Sequence, residues 1–343
     1  MVVAISITAG VIALILLGRT AKEKLVISQE VRSSEQTFPP GMTRVEFDSI
    51  NKKGTKIVGN IYIPDDYQEG EKRPGLVVSP PASSVKEQAA HYYAEKMRQK
   101  GYICLAFDPR GIGETKGLES DCSPYTIAND VSSGVSFLQS LPQVDSDKLG
   151  NLGLCAHSVS STYETIHDSR IKALGLAVPM TNGAEVAGAT NPLVMGALYF
   201  AGGIARILLF FGINPKIEAF PKTEEGLAKA NAMTQGMATY YAPGKIGEHP
   251  RYKNQISFFS GIGVAALDGF KLAPKLDNTP VHIETGDQAQ SLDGAERFFK
   301  KLKGPAEKTM NKIKGSDHFQ LYWKDEYVDQ AVAGLDRFYK KYI

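Results

Sequence analysis

The sequence predicts an α/β protein with a mostly parallel central sheet and helices on both of its faces. Short apolar segments such as "GLVVS" and "YICLAF" alternate along the chain with longer segments of helical periodicity. This alternation is typical of parallel sheets, because the helical crossovers cover both faces and leave the strands buried. The 343 residues are 43% hydrophobic and 22% charged, which allows one large domain with a sizeable core.

The predicted elements run from a hairpin near the start of the domain to a closing helix. Two alternating segments around a Lys-Lys-Gly turn indicate the hairpin, and apolar or periodic runs that end at Gly or Pro indicate the other elements. In chain order we expect a hairpin over 43–64, a strand over 73–79, a helix over 84–100, a strand over 102–107, a helix over 126–141, a strand over 148–155 followed by a helix, a strand over 171–179, a strand over 279–287, a helix over 291–302, a strand and loop over 307–319, and a helix over 328–343.

The pattern changes between about residues 180 and 250. The segment 191–215 is strongly apolar, and the segment 223–241 has helical character. We interpret this region as a helical insertion that forms a cap over the sheet. A membrane span over 192–213 is the competing interpretation, although Asn191, Arg206 and several glycines interrupt that segment.

The start of the chain is a separate hydrophobic segment. Val2–Leu17 contains no charged residue. The length of this segment is short for a full bilayer span and long for the apolar part of a signal peptide. No Lys or Arg precedes it, whereas Arg19, Lys22 and Lys24 follow it. This charge order favours an uncleaved anchor over a signal peptide, and would place the bulk of the chain on the cytoplasmic side.

The chain is thus predicted to consist of three parts. These are the N-terminal hydrophobic segment, anchor or signal peptide, over 1–24, a linker over 25–41, and an α/β domain over 42–343 with the insertion at about 180–250. We expect the protein to be membrane-associated through its N-terminal segment or exported. The preference for the cytoplasmic side depends on only three basic residues, so the side of the membrane is left open.

The stretch "GLCAHSVSST", Gly153–Thr162, predicts a sharp strand-to-helix turn that presents a nucleophile. Such an elbow needs small residues two positions before and two positions after the nucleophile. Cys155 has Gly153 before it but the bulky His157 after it, whereas Ser158 has small residues on both sides. The apolar strand ends at Cys155, which favours the thiol as nucleophile and leaves Ser158 as the alternative.

A nucleophile needs a base, and the base needs an orienting acid. In a chain with a nucleophile elbow these follow in the order nucleophile, acid, base. His318, in "KGSDHFQLY", follows the last predicted strand and is the predicted base. Asp287 ends "VHIETGD" and is the predicted acid, while Glu284 inside that strand is the nearest substitute.

Two backbone amides are expected to form an oxyanion hole. One should belong to Ala156, directly after the nucleophile. The other should follow the strand "GLVVS", where Pro80 and Pro81 carry no N–H group. The second donor is therefore expected at Ala82 or Ser83.

Four segments together resemble an α/β hydrolase of the dienelactone hydrolase-like branch. They are "GLCAHS", "LAFDPRGIGETKG", "SPPASSVKEQAAHYYAEKM" and "GSDHFQLY", and the resemblance covers about residues 45–343. That branch commonly has Gly-x-Cys at the elbow and an Asp-x-Arg-Gly-x-Gly-Glu turn, here Asp108–Glu114. The resemblance implies the α/β-hydrolase fold and independently favours Cys155. The chain departs from the branch at His157, where a Gly is usual, and at Pro80-Pro81, where His-Gly is usual.

These observations predict a hydrolase of carboxylic ester, lactone or thioester bonds. Cys155 would attack the carbonyl of a small-molecule substrate with a hydrophobic portion, His318 would act as base, and Asp287 would orient the imidazole. No metal or organic cofactor is implied. A net charge of +2 with scattered Lys and Arg predicts no nucleic-acid partner, and three cysteines do not indicate a disulfide framework.

Two other functions remain open from the sequence. Gly261-x-Gly263-x-x-Ala266 follows a strand-like run, with Glu284 about twenty residues further on, which is the spacing of a dinucleotide-binding fingerprint. The altered elbow and oxyanion loop instead motivate a catalytically impaired hydrolase scaffold that is used for binding.

Overall fold

The computed structural model describes residues 10–17, 25–27, 33–186, 191–266 and 268–343. The strands in these ranges are β1 (Gly41–Asp48), β2 (Lys56–Ile63), β3 (Arg73–Ser79), β4 (Ile103–Phe107), β5 (Val144–Leu154), β6 (Ile171–Ala177), β7 (Lys216–Ile217), β8 (Ile256–Ser257), β9 (Val281–Gly286) and β10 (Lys308–Ile313). The α-helices from residue 89 onwards are α1 (Ala89–Arg98), α2 (Pro124–Ser140), α3 (His157–His167), α4 (Gly183–Val186), α5 (Pro192–Phe210), α6 (Glu224–Ala228), α7 (Ala232–Tyr241), α8 (Phe258–Ala265), α9 (Gly269–Leu272), α10 (Leu292–Lys301) and α11 (Asp325–Tyr339). Residues 10–17 are also helical and are called the N-terminal helix.

Eight of these strands form one sheet in the order β1-β2-β4-β3-β5-β6-β9-β10. All neighbours from β4 to β10 are parallel, whereas β2 runs antiparallel to both β1 and β4. The predicted α/β class with a mostly parallel sheet is therefore confirmed. The predicted hairpin is confirmed as well, with Gly41 opposite Ile63.

Helices pack on both faces of the sheet, and β3 illustrates how the strand pattern produces this. Its alternating side chains point to opposite faces. Leu76 and Val78 join the core that contains Tyr93 of α1, whereas Val77 joins the core that contains Val131 of α2. All of these side chains are buried, so a continuous apolar run is required in this central strand.

Between β6 and β9 the chain leaves the sheet and forms a helical cap. We call residues 183–265 the cap; they contain α4 to α8 and a small antiparallel pair in which Lys216 of β7 lies opposite Ser257 of β8. The predicted insertion over about 180–250 falls largely within this segment. The cap continues past 250 because β8 pairs with β7 and because α8 packs against α5.

The predicted dinucleotide fingerprint is not formed. Gly261 and Gly263 lie inside helix α8 of the cap, which follows the two-residue strand β8. A dinucleotide site needs these glycines in the turn between a strand of the parallel sheet and a helix. Glu284 lies inside β9, where its carboxylate accepts hydrogen bonds from Asn311 and contacts His282, so the sequence-based alternative of a Rossmann site is wrong.

The predictions for the chain start are only partly covered by the described residues. Residues 1–9, 18–24 and 28–32 lie outside them, so most of the predicted segment 1–24 and part of the linker are not described. Strand β1 begins at Gly41, where the predicted linker ends.

Candidate active site

The turn between β5 and α3 has the geometry of a nucleophile elbow at Cys155. The φ angle of Cys155 is +53°, in the left-handed region that non-glycine residues rarely adopt. Its amide donates to the carbonyl of Ala177 at 3.1 Å, and its carbonyl accepts from the amide of Met180 at 3.0 Å. These bonds to the neighbouring strand and loop hold a backbone conformation that would otherwise be costly.

The small residue before the elbow is required by close packing. A Cβ atom on Gly153 would lie 2.8 Å from Cα of Ser158 and 2.8 Å from the Ser161 side chain. Ser158 itself lies in the first turn of α3, where its hydroxyl donates to the carbonyl of Gly153 at 3.1 Å. Cys155 therefore occupies the strained position of the elbow. The hydroxyl of Ser158 links helix α3 to strand β5 through its hydrogen bond.

Cys155 lies at the base of an apolar cavity of about 240 Å³, which we call the acyl cavity. The cap forms much of its wall, and Phe319 and Tyr322 come from the loop after β10. Its apolar lining from the cap consists of Ile217, Ala219, Met233, Met237, Ile256 and Val264. Such a cavity favours a substrate with a hydrophobic portion.

Two backbone amides lie within hydrogen-bonding reach of the Cys155 sulfur. They belong to Ala156, at the start of the elbow helix, and to Ala82, in the loop after β3. The Ser83 amide instead faces the sulfur of Cys122, and the φ angle of Ser83, +61°, turns the loop away. Of the two predicted donors, the Ala82 amide is thus the one that lies near the Cys155 sulfur.

The thiol of Cys155 is buried and neutral at physiological pH. Burial raises its pKa to about 11, although the hydroxyl of Tyr322 and the two amides act in the opposite direction. The sulfur also lies 3.2 Å from the sulfur of Met180. An activated thiolate therefore has to form during the reaction, because it is not present at rest.

Tyr322 lies between the thiol and the imidazole of His318. Its hydroxyl is 3.0 Å from Nε2 of His318 and is also within hydrogen-bonding reach of Cys155. The other ring nitrogen of His318, Nδ1, is 2.9 Å from the hydroxyl of Ser291. Burial lowers the pKa of His318 to about 3, so the imidazole is neutral as well.

Asp287, the predicted acid, lies directly after β9, as expected. Its carboxylate accepts a hydrogen bond from the amide of Gly315 at 2.7 Å, and its own amide donates to the carbonyl of Ile313 at 3.0 Å. It therefore holds the loop that carries His318, while Ser291 takes the position at Nδ1 where a direct orienting acid would lie.

Sequence reasoning did not identify Tyr322 and Ser291. Tyr322 lies four residues after His318 in "DHFQLY", within one helical turn, and Ser291 directly precedes α10. A turn of helix after the base brings residues i and i+4 to the same side, and this spacing was the available signal. No comparable spacing connects Ser291 with His318, because they come from different loops.

The Asp108–Glu114 turn supports the loop that carries Ala82. The Asp108 carboxylate accepts hydrogen bonds from the amides of Lys86 and Glu114 at 2.7 and 2.9 Å, and it pairs with the Lys86 ammonium at 2.9 Å. A Cβ on Gly113 would lie 2.3 Å from this carboxylate, so glycine is required there. These contacts assign the turn a structural role beside the site.

His157 lies behind the elbow and does not line the acyl cavity. It is 2% exposed, and its ring nitrogens make no hydrogen bond of normal geometry. Burial lowers its pKa to about 4, which the nearby carbonyl of Pro80 partly offsets. The neutral imidazole therefore fills space between the elbow and the oxyanion loop.

This burial predicts a loss of stability in mild acid. The unfolded chain takes up a proton on His157 near the ordinary pKa of 6.5, whereas the folded chain does so only near 4. The free energy of unfolding should consequently fall by about 2 kcal/mol from this group as the pH is lowered from 7 to 5. Urea unfolding at both pH values measures the effect. His157→Asn should reduce the pH dependence, the exposed His167→Asn should not, and equal slopes in all three proteins would contradict the prediction.

Comparisons with known proteins agree with this fold. YcjY, an uncharacterized protein of Escherichia coli K12, is 26% identical over 303 residues, which are 87% of this chain and 98% of that protein. A thiohydrolase of Eupenicillium brefeldianum is 24% identical over 277 residues, 78% of this chain and 86% of that protein. The crystal structure of the α/β hydrolase GrgF from Penicillium sp. sh18 matches with a TM-score of 0.72 and 19% identity, covering 88% of this chain and 98% of that one. No family model matches the chain.

The sheet order and these neighbours together define the fold. The chain has the α/β-hydrolase fold, as the sequence resemblance implied. It is similar over most of its length to YcjY and to a fungal thiohydrolase.

Proposed function

We propose that the protein hydrolyses thioesters, or esters, of hydrophobic carboxylic acids through an acyl intermediate on Cys155. The observation that carries this proposal is the strained elbow: a thiol at φ +53° with the amides of Ala156 and Ala82 at its sulfur, at the base of an apolar cavity. The carbonyl oxygen of a bound substrate would take the place beside the sulfur where both amides point, which is the arrangement of an oxyanion hole.

The proton path runs through Tyr322. The thiol proton of Cys155 passes to the Tyr322 oxygen as the Tyr322 proton passes to Nε2 of His318, and the sulfur attacks the carbonyl carbon. Collapse of the tetrahedral intermediate breaks the bond to the leaving group, which takes the proton back by the same path. In the second half of the reaction, a water proton passes through Tyr322 to Nε2 of His318 as the water oxygen attacks the acyl carbonyl carbon. The carbon–sulfur bond then breaks, the acid is released, and the proton returns through Tyr322 to the sulfur of Cys155.

A thioester substrate is favoured by two features. A thiolate is a good leaving group, so a cysteine nucleophile exchanges readily with a thioester. A relative of this chain is named a thiohydrolase. The chemistry that is common to ester, lactone and thioester substrates is the same acyl transfer to Cys155.

A second, polar cavity adjoins the acyl cavity and suits a polar leaving group. Its volume is about 380 Å³, and it shares Met180, Asn231 and Met233 with the acyl cavity. The polar side chains of its lining are Thr181, Asn182, Asn231, Gln290, Ser291, Asp293 and Arg297. We propose that the hydrophobic acyl part enters the first cavity and that the leaving group extends into the second.

Trapping of the acyl group tests this function. Full-length protein is mixed with an aryl thioester of butyric acid, quenched in acid, digested and analysed by mass spectrometry. The expected result is a butyryl group on the peptide that contains Cys155, with Cys104 unmodified because it is fully buried and does not line the cavity. Cys122 also lines the acyl cavity, but it is only 1% exposed against 7% for Cys155, and burial raises its pKa to about 12, so we expect it to remain unmodified as well. Acylation of Ser158, or of neither residue, would contradict the proposed nucleophile.

The variants Ser291→Ala and Asp287→Asn distinguish the roles of the two residues. We propose that Ser291 orients the imidazole directly and that Asp287 acts through the loop at Gly315. Ser291→Ala is then expected to lower kcat by about tenfold, because His318 loses the partner at Nδ1. Asp287→Asn retains an acceptor oxygen for Gly315 and should change kcat by less than about threefold. A loss of about a thousandfold or more in Asp287→Asn would instead identify it as the direct orienting acid.

A catalytically impaired scaffold is the alternative function. The neutral thiol and the neutral imidazole, together with the unusual His157, favour it. It predicts that hydrophobic acids bind in the acyl cavity, that their binding quenches or shifts protein fluorescence, and that no acyl group is transferred to Cys155.

We further propose that the N-terminal segment attaches the protein to a membrane. Four large apolar side chains of the N-terminal helix, Val11, Ile12, Leu16 and Leu17, are exposed. Basic residues Arg19, Lys22 and Lys24 follow the apolar run, which is the order expected of an anchor.

A further inference from the structure

Helix α5 of the cap is long, apolar and exposed. It contains nineteen residues, has a mean hydropathy of 1.9 over its most apolar window, and has only 17% of that window buried. In the described part of the chain it is the helix that is long and apolar enough to cross a membrane. A core helix of a soluble domain would be mostly buried, so this composition needs another explanation.

The exposed apolar side chains of the protein are concentrated around this helix. Fourteen large apolar residues are exposed in the described ranges, and twelve of them lie in the N-terminal helix or in the segment 193–217. Phe210 is 85% exposed and Leu193 is 83% exposed. The two that lie elsewhere are Met42 and Ile246.

The N-terminal helix packs directly against α5. A Cβ on Gly203 would lie 2.0 Å from the carbonyl oxygen of Leu14, so the two backbones touch. Three residues further along both helices, the guanidinium of Arg206 donates to the carbonyl of Leu17 at 3.3 Å. The equal spacing means that the helices run in the same direction, and their apolar surfaces are continuous.

One basic side chain lies within this apolar surface. Arg206, the only charged residue of α5, donates to the carbonyl of Leu17 in the N-terminal helix. In the sequence, Arg19, Lys22 and Lys24 follow Leu17. Exposed apolar side chains combined with basic residues have the composition that binds to anionic phospholipid leaflets.

Both ends of α5 return to the same domain. After α5 the chain enters β7, which pairs with β8, and α5 itself packs against α8, the helix that follows β8. A helix of nineteen residues is about 28 Å long, and it could cross a bilayer only by separating these elements. We therefore expect the helix to lie within one leaflet and not to cross the bilayer.

The occupant of this surface has to contact several sides of α5. Val194 and Phe210 are both exposed, and at about 100° per residue they lie about 160° apart around the helix axis. A second copy of the chain would cover one face of the helix, whereas lipid acyl chains can surround all of its exposed sides. This distribution favours a bilayer over a dimer contact.

We propose that α5 and the N-terminal helix together form a membrane-docking surface that embeds in one leaflet of a phospholipid bilayer, and that the acyl cavity takes its substrate from that leaflet. The second part rests on the proposed hydrolase function. It is supported by Ile217, which is exposed at the end of the apolar surface and also lines the cavity. Val264 of α8, the helix beneath α5, lines the same cavity.

Lipid photo-crosslinking tests the docking surface. The full-length chain is bound to vesicles of neutral and anionic phospholipids that contain a phospholipid with a diazirine at the end of its acyl chain. After irradiation and digestion, mass spectrometry should find lipid adducts on peptides from 192–213, and none on the peptides with Met42 or Ile246. Adducts confined to the N-terminal peptide, or crosslinks of α5 to a second copy of the chain, would overturn the proposal.

A triple variant tests delivery from the leaflet. Leu193→Glu, Phe210→Glu and Phe211→Glu change exposed residues that do not line the acyl cavity. Turnover of a water-soluble butyryl thioester should be unchanged, while turnover of a long-chain acyl thioester held in vesicles should fall at least tenfold. The matched variant with Met42→Glu and Ile246→Glu should retain both activities. An equal loss on both substrates would overturn delivery from the leaflet, whereas lipid adducts on α5 without turnover by the unmodified protein would support docking and refute the hydrolase function.

Discussion

Cys155→Ala is expected to abolish turnover of a butyryl thioester, with kcat/KM reduced by at least about 10⁴-fold. Cys155 is the proposed nucleophile, and its loss would leave the site without the group that accepts the acyl chain in the proposed mechanism. The fold should tolerate the change, because alanine removes one sulfur atom from a cavity wall. Release of free thiol from the substrate, followed with a chromogenic disulfide, measures the effect.

Ser158→Ala is the matched control for this prediction. It removes the hydrogen bond to the Gly153 carbonyl and is therefore expected to lower the melting temperature by a few degrees. Its kcat should remain within about threefold of the unmodified protein, because its hydroxyl is turned towards the strand. Activity that persists in Cys155→Ala and disappears in Ser158→Ala would move the nucleophile to the serine.

His318→Ala is expected to lower kcat by about 10³-fold, because proton transfer by a positioned base contributes about 10²–10⁴-fold. Tyr322→Phe should lower kcat by a smaller factor, about 10²-fold, since it removes the hydroxyl that joins the thiol to the imidazole but leaves the base in place. Single-turnover acylation, followed by rapid quench, measures the step directly.

The two variants should also differ in their pH dependence. In Tyr322→Phe the thiol loses the hydroxyl that lowers its pKa, so the pKa of Cys155 should be higher than its value of about 11 in the unmodified protein, and the acylation rate should keep rising as the pH is raised. An activity in Tyr322→Phe equal to that of the unmodified protein would show that His318 reaches the thiol without the tyrosine, for example after a movement of the loop on substrate binding.

The neutral resting state has a consequence for selectivity. A thiolate–imidazolium pair would react with many electrophiles, whereas a buried thiol with a pKa raised to about 11 is slow to react with soluble alkylating reagents. In the proposed mechanism, a substrate in the acyl cavity would present its carbonyl next to the amides of Ala156 and Ala82, where negative charge is stabilised as it forms. We therefore expect reactivity to depend on the bound substrate more than on the free thiol.

Helix α5 is an example of an element whose composition does not predict its environment. Its sequence is apolar almost throughout, and this alone is compatible with a buried cap helix, a membrane span or a surface helix. Only the tertiary structure reveals that the small residues Gly202, Gly203 and Ala205 are its buried positions, while its large apolar side chains are half-buried or exposed. Exposure depends on which other segments reach the helix, and no local pattern encodes that.

The sequence by itself determined the mostly parallel sheet, the sharp turn after strand β5 with Cys155 favoured over Ser158, and the position of His318 after the last strand. These follow from local rules: strand and helix periodicity, the small residue that a tight turn requires, and the chain order of an α/β hydrolase. The tertiary structure decided that Tyr322 joins the thiol to the imidazole, that Ser291 lies at Nδ1, and that Asp287 holds the loop at Gly315. Hydrogen bonds form or fail over a few tenths of an ångström, and the positions of these groups depend on how loops from different strands pack against one another.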